Sequence, residues 1–161
     1  MSACGALVTT DYDLQTDFSE YNSYNFYPEI DSGLSDLDEK RIEKSIDSVL
    51  GLRGFQKSET PTFLINYFGE EQLNQSRNTI GIGVGSGGGN VGVGVSGGIP
   101  VGGYQIDQRL TIDFIDNEKD NLIWQAIVEA HYKEKSSPVQ KDNFYFQILQ
   151  KALKKFPPKK K

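Results

Sequence analysis

Hydrophobic and polar positions alternate over two long stretches in the second half of the chain, residues 104–115 and 122–132. A period of two is typical of a half-buried β-strand, because successive side chains point to opposite faces of a sheet. The turn-forming composition of residues 116–121 between them predicts an antiparallel pair. In this pair we expect Leu122 and Trp124 to point into the core.

Two other segments have the period of an amphipathic helix. The first spans about residues 36–52, with Ser35 in a capping-box position and Gly54 where a left-handed C-cap is expected. The second spans about residues 141–156 and is ended by two prolines. Each helix would bury one apolar face.

Two shorter aromatic-rich stretches, residues 18–27 and 63–67, predict two more strands. We therefore expect an α+β fold: an antiparallel or mixed sheet of four main strands, with both helices on one face. The opposite face would stay open. Its apolar content, including Ile115, Ile123 and Ile127, predicts that a partner covers it.

A glycine-rich insert, residues 78–103, separates the second and third of these strands. Twelve of the 17 glycines lie from Gly81 to Gly103, and no charged residue lies between Arg77 and Asp107. Each glycine costs about 1 kcal/mol in entropy when it is ordered, so a flexible loop is one interpretation. The other interpretation is a β-hairpin whose apolar face contacts a partner, because β-branched residues alternate with glycine on both sides of a glycine turn. The β-branched residues are Ile80, Ile82, Val84, Val91, Val93 and Val95.

At 161 residues the chain fits a single domain, which we predict over residues 18–158. Residues 1–17 have no clear period and predict a tether, and residues 159–161 form a basic tail. Eleven acids face three bases between residues 11 and 47, whereas six lysines and no acid follow Asp142. Because the bases are confined to a helix end and a tail, we expect no nucleic-acid partner.

Cys4 is the single cysteine and follows two small residues, Ser2 and Ala3. This pattern resembles the end of a lipobox, where removal of a signal peptide leaves an acylated cysteine at the N-terminus. One cysteine cannot form an internal disulfide, and a loose thiol in a frayed terminus is the alternative. We expect lipidation of Cys4, palmitate included, as a membrane anchor. Gly5 in the next position favours the outer membrane by resemblance to enteric lipoproteins.

Residues that could carry catalysis are few. His131, the single histidine, shares a polar strand face with Glu129, but an exposed strand histidine is the commoner explanation. Four acids in and near one turn resemble part of a cation-binding loop: Asp113, Asp116, Glu118 and Asp120. However, the glycine and the glutamate that such a loop needs are absent from this segment. We predict no catalytic residue, no metal site and no cofactor.

Four segments carry a family resemblance through their order. They are residues 18–28 (FSEYNSYNFYP), 52–55 (LRGF), the strand–turn–strand at 110–124, and 152–158 (ALKKFPP). Together they resemble the bacterial lipoprotein family catalogued as domain of unknown function 4136. The resemblance implies an envelope lipoprotein without an assigned activity and carries over no catalytic residue. The glycine-rich stretch is longer and more regular than the family's usual central linker.

These observations lead to a hypothesis of a non-enzymatic cell-envelope lipoprotein that binds a partner or serves an envelope complex. It would lie on the outer membrane, facing the periplasm. Its partners would be the membrane, through N-terminal acyl chains, an unknown envelope protein or lipid, and further copies in a homo-oligomer. Two alternatives remain: a carboxylate-dependent envelope hydrolase, favoured by buried acids converging in a deep pocket, and a self-assembling structural lipoprotein.

Overall fold

The computed structural model describes residues 5–75 and 103–159. Over these residues the chain has an α+β fold, with one mixed sheet of six strands and two helices. The elements have these bounds in chain order: β1 Leu7–Tyr12, β2 Ser23–Phe26, α1 Asp36–Leu52, β3 Gln56–Lys57, β4 Phe63–Gln75, β5 Tyr104–Asp116, β6 Leu122–Lys133 and α2 Pro138–Ala152. Neither helix is long and apolar enough to cross a membrane.

The strand order in the sheet is β1-β6-β5-β4-β2-β3. The predicted antiparallel pair is confirmed as β5 and β6, and β4 runs antiparallel along the whole of β5. β1 pairs antiparallel with β6, whereas β2 lies parallel to both β3 and β4. The sheet is therefore mixed and has six described strands where four main strands were predicted.

Both helices begin at serine caps. The Ser35 side chain accepts the backbone N–H of Asp38, and α1 has the predicted bounds. At α2 the Ser137 hydroxyl accepts the N–H of Gln140, whose side chain accepts the N–H of Ser137 in return. This capping box, followed by Pro138 at the first helical position, starts α2 three residues before the predicted bound.

Aromatic side chains cluster in the part of the core that lies near the C-terminal ends of both helices. Phe156 lies in its middle, with ring centroids 4.6 Å from Phe114 and 5.2 Å from Trp124. The Arg53 guanidinium donates to the backbone carbonyls of Leu153 and Phe156, the latter at 2.8 Å. The segment after α2 is therefore held against the core by both packing and charge-assisted hydrogen bonds.

The prediction of a tether over residues 1–17 is wrong for its described part. Leu7–Tyr12 forms β1, paired with β6 from Leu7 opposite Glu129 to Tyr12 opposite Trp124. Ala6 is buried, and its carbonyl accepts a hydrogen bond from Lys151 Nζ at 2.5 Å. The strand was missed because its central positions are polar, so its pairing depends on a long-range contact with β6 rather than on a local pattern.

The aromatic stretch at residues 18–27 also differs from the prediction of one strand. Phe18–Glu20 forms a short 3₁₀ turn, which begins where the Asp17 side chain accepts the N–H of Ser19. Only Ser23–Phe26 joins the sheet. The local Asp17 hydrogen bond competes with strand geometry and divides the segment.

One inserted residue changes which side of β6 faces the core. Phe114 lies opposite Trp124, but Ile115 lies opposite Leu122, so Ile123 is the extra residue of a β-bulge. Ile123 and Trp124 are each 1% exposed, whereas Leu122 is 47% exposed. The predicted core position of Leu122 and the predicted open-face position of Ile123 are both wrong, because a one-residue shift exchanges the two faces.

Candidate functional site

The face of the sheet opposite the helices is left uncovered by the described elements. Two of its predicted partner-contact residues, Ile115 and Ile127, are half-buried there. In one cross-strand row, Phe68, Thr111 and Ile127 are neighbours, and Phe68 is 39% exposed. Thr111 is buried although no element within residues 5–75 and 103–159 covers it, so the flanking Phe68 and Ile127 side chains shield it. We call Phe68, Thr111 and Ile127 the apolar row.

The other predicted contact and anchor residues lie outside the described residues. These are Cys4, the proposed lipidation site, and the six β-branched positions of the insert: Ile80, Ile82, Val84, Val91, Val93 and Val95. The hairpin itself therefore stays a prediction.

Next to the apolar row the same face forms an open groove of about 680 Å³. By register, Arg109 lies between Glu70 and Glu129, and Asp107 lies opposite His131. These five residues line the groove. Its charge is therefore predominantly acidic.

The groove does not bring a buried acid together with a second acid. Glu70, Glu129 and His131 are all exposed, and Arg109 stands between the two glutamates in the register. A glycosidase pair needs one carboxyl whose pKa is raised by an apolar setting, close to a second carboxylate. The exposed glutamates of the groove lack that setting, although they can bind a polar or cationic group.

Asp113 is a charged residue at the centre of the uncovered face. It is half-buried and accepts a hydrogen bond from Gln125 Nε2 at 2.7 Å. Burial raises the pKa of Asp113 above its usual range, although the bond from Gln125 acts in the opposite direction. A partner that covers this face must therefore also solvate or neutralise one carboxylate.

In the acid-rich turn after β5, the Asp116 carboxylate accepts hydrogen bonds from backbone N–H groups of the same turn. Asp116 is buried and accepts the N–H groups of Glu118 at 2.8 Å and Lys119 at 2.7 Å, together with the hydroxyl of Tyr21. Burial alone would raise the pKa of Asp116, but these hydrogen bonds lower it below its usual value. Residues 5–75 and 103–159 contain no group of three or more His, Cys, Asp or Glu side chains that could hold a metal ion.

A second polar cluster, which the sequence reasoning missed, lies between the helices and the sheet. Gln108 is 3% exposed, and its Nε2 donates to Glu71 at 2.7 Å and to the Tyr145 hydroxyl at 2.8 Å. Burial raises the pKa of the Tyr145 hydroxyl above its usual value, so this group stays protonated. The available signal was a glutamine at a core-facing position of the β5 alternation.

The helix side of this cluster is an ion-pair network around Asp38. This buried carboxylate lies 2.8 Å from Arg41 Nη1 and 3.0 Å from Lys141 Nζ, and Arg41 Nε also contacts Asp142 at 3.0 Å. The network joins the first turns of α1 and α2. Because each charged group in it is already paired, it connects the two helices and offers no free charge to a ligand.

The family model described as a domain of unknown function (DUF4136) matches residues 8–158. This chain belongs to that family. The match runs from β1 to the segment after α2, so both the missed strand and the Phe156 segment are parts of the family's domain. A comparison with curated proteins gives no match.

Two solved structures share the fold of this DUF4136 chain. A PDZ domain protein from Parabacteroides distasonis matches with a TM-score of 0.56 and 18% identity, over 97% of this chain and 37% of that protein. The chain thus spans little more than a third of that protein's length. A PelC dodecamer from Paraburkholderia phytofirmans matches with a TM-score of 0.52 and 10% identity, over 92% of this chain and 94% of the PelC chain. At these identities the likeness concerns the fold alone.

Proposed function

We propose that this chain is a non-enzymatic cell-envelope lipoprotein that binds a partner as an auxiliary component of an envelope complex. The observation that carries the proposal is the uncovered face of the sheet. An antiparallel sheet can leave one face in water when that face is polar. Here the apolar row and the half-buried Ile115 interrupt the polar positions, which is typical of a surface that another molecule covers.

The proposed anchor is a lipid-modified Cys4. Support comes from the small residues Ser2 and Ala3 before it. Two or three acyl chains on one cysteine give stable membrane attachment, since about 0.8 kcal/mol accrues per buried methylene. In this proposal the protein lies on the outer membrane and faces the periplasm.

Substitution of Cys4 tests the anchor. A precursor that carries Cys4→Ser should leave the membrane fraction and lack the added mass of the acyl chains. Ser2→Ala, which keeps a small residue before the cysteine, is the matched control and should remain acylated. A Cys4→Ser protein that still sediments wholly with membranes after a salt wash would show that the anchor lies elsewhere.

Self-assembly is the form of partner binding that one comparison favours. The PelC structure with a similar fold is a dodecamer, and the PelC assembly supports a proposal that copies of this chain also associate. The apolar row would then contact a second copy. Packing of exposed sheet faces against each other is a common way to bury such positions.

Charge introduced into the apolar row tests whether it is the binding surface. Phe68→Glu should reduce the size of the complex extracted in mild detergent, because a carboxylate would be buried at the contact. The matched control is Leu52→Glu at the exposed C-terminal end of α1, which lies away from the uncovered face. Equal complex sizes for both variants and the unchanged protein would exclude the apolar row as the contact.

A further inference from the structure

Large exposed apolar side chains gather at the end of the molecule where the long strands β4 and β6 finish. Leu73 lies near the end of β4, Tyr104 begins β5 and Val139 lies in the first turn of α2, and all three are exposed. The neighbouring polar residues at this end carry mixed charge, Lys133 and Glu134 among them. Tyrosine has an apolar ring and a polar hydroxyl and is enriched at membrane–water interfaces.

The first described residues of the chain lie at this same end. Gly5 lies two residues before β1 and beside His131: a Cβ added to Gly5 would be 3.7 Å from His131 Cε1. Ala6 is buried and hydrogen-bonded through its carbonyl to Lys151. We call Gly5, Leu73, Tyr104 and Val139 the anchor end.

Covalent geometry limits how far an acyl group on Cys4 can lie from the anchor end. Consecutive Cα atoms are about 3.8 Å apart, so Cys4 lies within about 11 Å of Leu7, the first residue that pairs in the sheet. The opposite end of the sheet is much farther away, since Leu122 and His131 are separated along β6 by about 30 Å at about 3.3 Å per residue. A molecule that stands upright on the membrane and is attached through Cys4 therefore presents the anchor end to the lipid surface.

We propose that the anchor end rests on the lipid bilayer, with Leu73, Tyr104 and Val139 in the interfacial region and the long strands directed away from the membrane. This inference rests on the proposed acylation of Cys4. It replaces the predicted tether by a fixed orientation. The uncovered face would then stand roughly upright on the membrane, open to a partner beside it rather than to the lipid.

In the competing orientation, exposed lysines at the end opposite the anchor end would contact the lipid. The far end of the molecule carries exposed Lys154, Lys155 and Lys159, and also exposed leucines at positions 14, 52 and 122. Anionic lipid attracts exposed lysines near its surface. If this attraction prevailed over the position of the anchor, the molecule would have to lie on its side or bend at Gly5.

Hydroxyl-radical footprinting on vesicles decides between these orientations. The single thiol, Cys4, is coupled in vitro to a maleimide phospholipid, and the protein is bound to phosphatidylethanolamine–phosphatidylglycerol vesicles. We expect oxidation of Leu73, Tyr104 and Val139 to fall several-fold relative to the unbound protein. Oxidation of the three control residues at the opposite end, Leu14, Leu52 and Leu122, should be unchanged.

The outcomes separate this inference from the proposed function. Equal protection at both ends, stronger protection at the lysine end, or no protection while the protein remains vesicle-bound would each overturn the orientation. An unmodified Cys4 in protein extracted from cells would instead overturn the proposed lipidation. The footprint stays interpretable in that case, because the lipid is attached chemically.

A matched pair of variants tests the apolar contact itself. With a single-chain lipid on Cys4, membrane binding is marginal and additional apolar contacts become measurable. The double variant Leu73→Ser/Val139→Ser should lower vesicle partitioning about tenfold, because two exposed apolar side chains no longer enter the interface. The control Leu14→Ser/Leu52→Ser should leave partitioning unchanged. Equal effects of the two variants would refute the contact.

Discussion

Removal of the Trp124 side chain tests the register of the core most severely. Trp124 is fully buried between Phe114, at 4.9 Å between ring centroids, and Phe156, at 5.2 Å. Truncation of a buried tryptophan to alanine costs about 3–5 kcal/mol, from lost transfer free energy and from the cavity left behind. A domain of this size has a free energy of unfolding of about 5–15 kcal/mol, so Trp124→Ala should unfold at a much lower urea concentration.

Trp124→Phe provides the control for this prediction. The indole N–H has no hydrogen-bond partner among the described residues, so the loss of this group removes an unsatisfied buried donor as well as some apolar area. An unsatisfied donor costs about 1–3 kcal/mol, which offsets most of the lost area. We expect Trp124→Phe to change the free energy of unfolding by less than about 1.5 kcal/mol.

Urea unfolding followed by far-UV circular dichroism measures both variants, because the only tryptophan is lost and fluorescence cannot be used. Two results would refute the reasoning. A stably folded Trp124→Ala protein would place Trp124 outside the core. A Trp124→Phe protein as unstable as Trp124→Ala would show that removal of the indole N–H does not offset the lost ring area.

Three further predictions concern the sheet and its connections. Gly69→Ala should lower the free energy of unfolding by about 1–3 kcal/mol in urea titrations, because its Cβ would lie 3.0 Å from the Leu34 side chain. Gly51→Ala is the control and should not lower it, because the added Cβ would meet no described residue beyond its own helical turn within 4 Å. Tyr21→Phe should raise the pKa of Asp116 and cost about 2 kcal/mol at neutral pH. Because the pKa of Asp116 is lowered on folding, its contribution exists above the unfolded pKa of about 3.9 and is lost as the pH falls through the folded pKa. Unfolding of both proteins at a pH of about 2 should therefore show a much smaller difference, and an equal difference at both pH values would contradict this role. Replacement of the glycine-rich insert by a two-residue turn should leave the melting temperature nearly unchanged, since Gln75 and Tyr104 are already paired neighbours. A large loss of stability would show that the insert belongs to the core.

The long elements were predictable because their signals are local. The bounds of α1 follow from the cap at Ser35 and the apolar period behind it, and the β5–β6 pair follows from alternation on both sides of a turn. These features depend on residues within a few positions of each other. Local rules are therefore sufficient to place them.

The features that failed depend on contacts between distant residues. The bulge at Ile123 leaves no mark in the alternation, because the residues on both sides of it remain apolar. β1 carries polar residues at its centre and is recognisable only through its pairing with β6. The position of Arg53 under the carbonyls of Leu153 and Phe156 joins residues about a hundred positions apart.

The candidate site was predicted only in outline. An open sheet face with apolar positions was expected, and Ile115 and Ile127 lie on it. Phe68 was missed because the predicted strand ended at residue 67, one position too early to include it. Beyond residue 67, β4 continues to Gln75 through eight further pairs with β5, and no pattern within β4 alone predicts this continuation.

Site-specific photocrosslinking in living cells tests the central claim most directly, namely that the uncovered sheet face is the binding surface. A photoreactive amino acid at position 68 would lie in the apolar row, and the same residue at exposed position Lys44 on α1 would lie on the helical side. We predict a discrete adduct from position 68 and none from position 44, and an adduct of twice the chain mass would identify a second copy as the partner. Adducts of equal yield from both positions, or an adduct from position 44 alone, would contradict the claim.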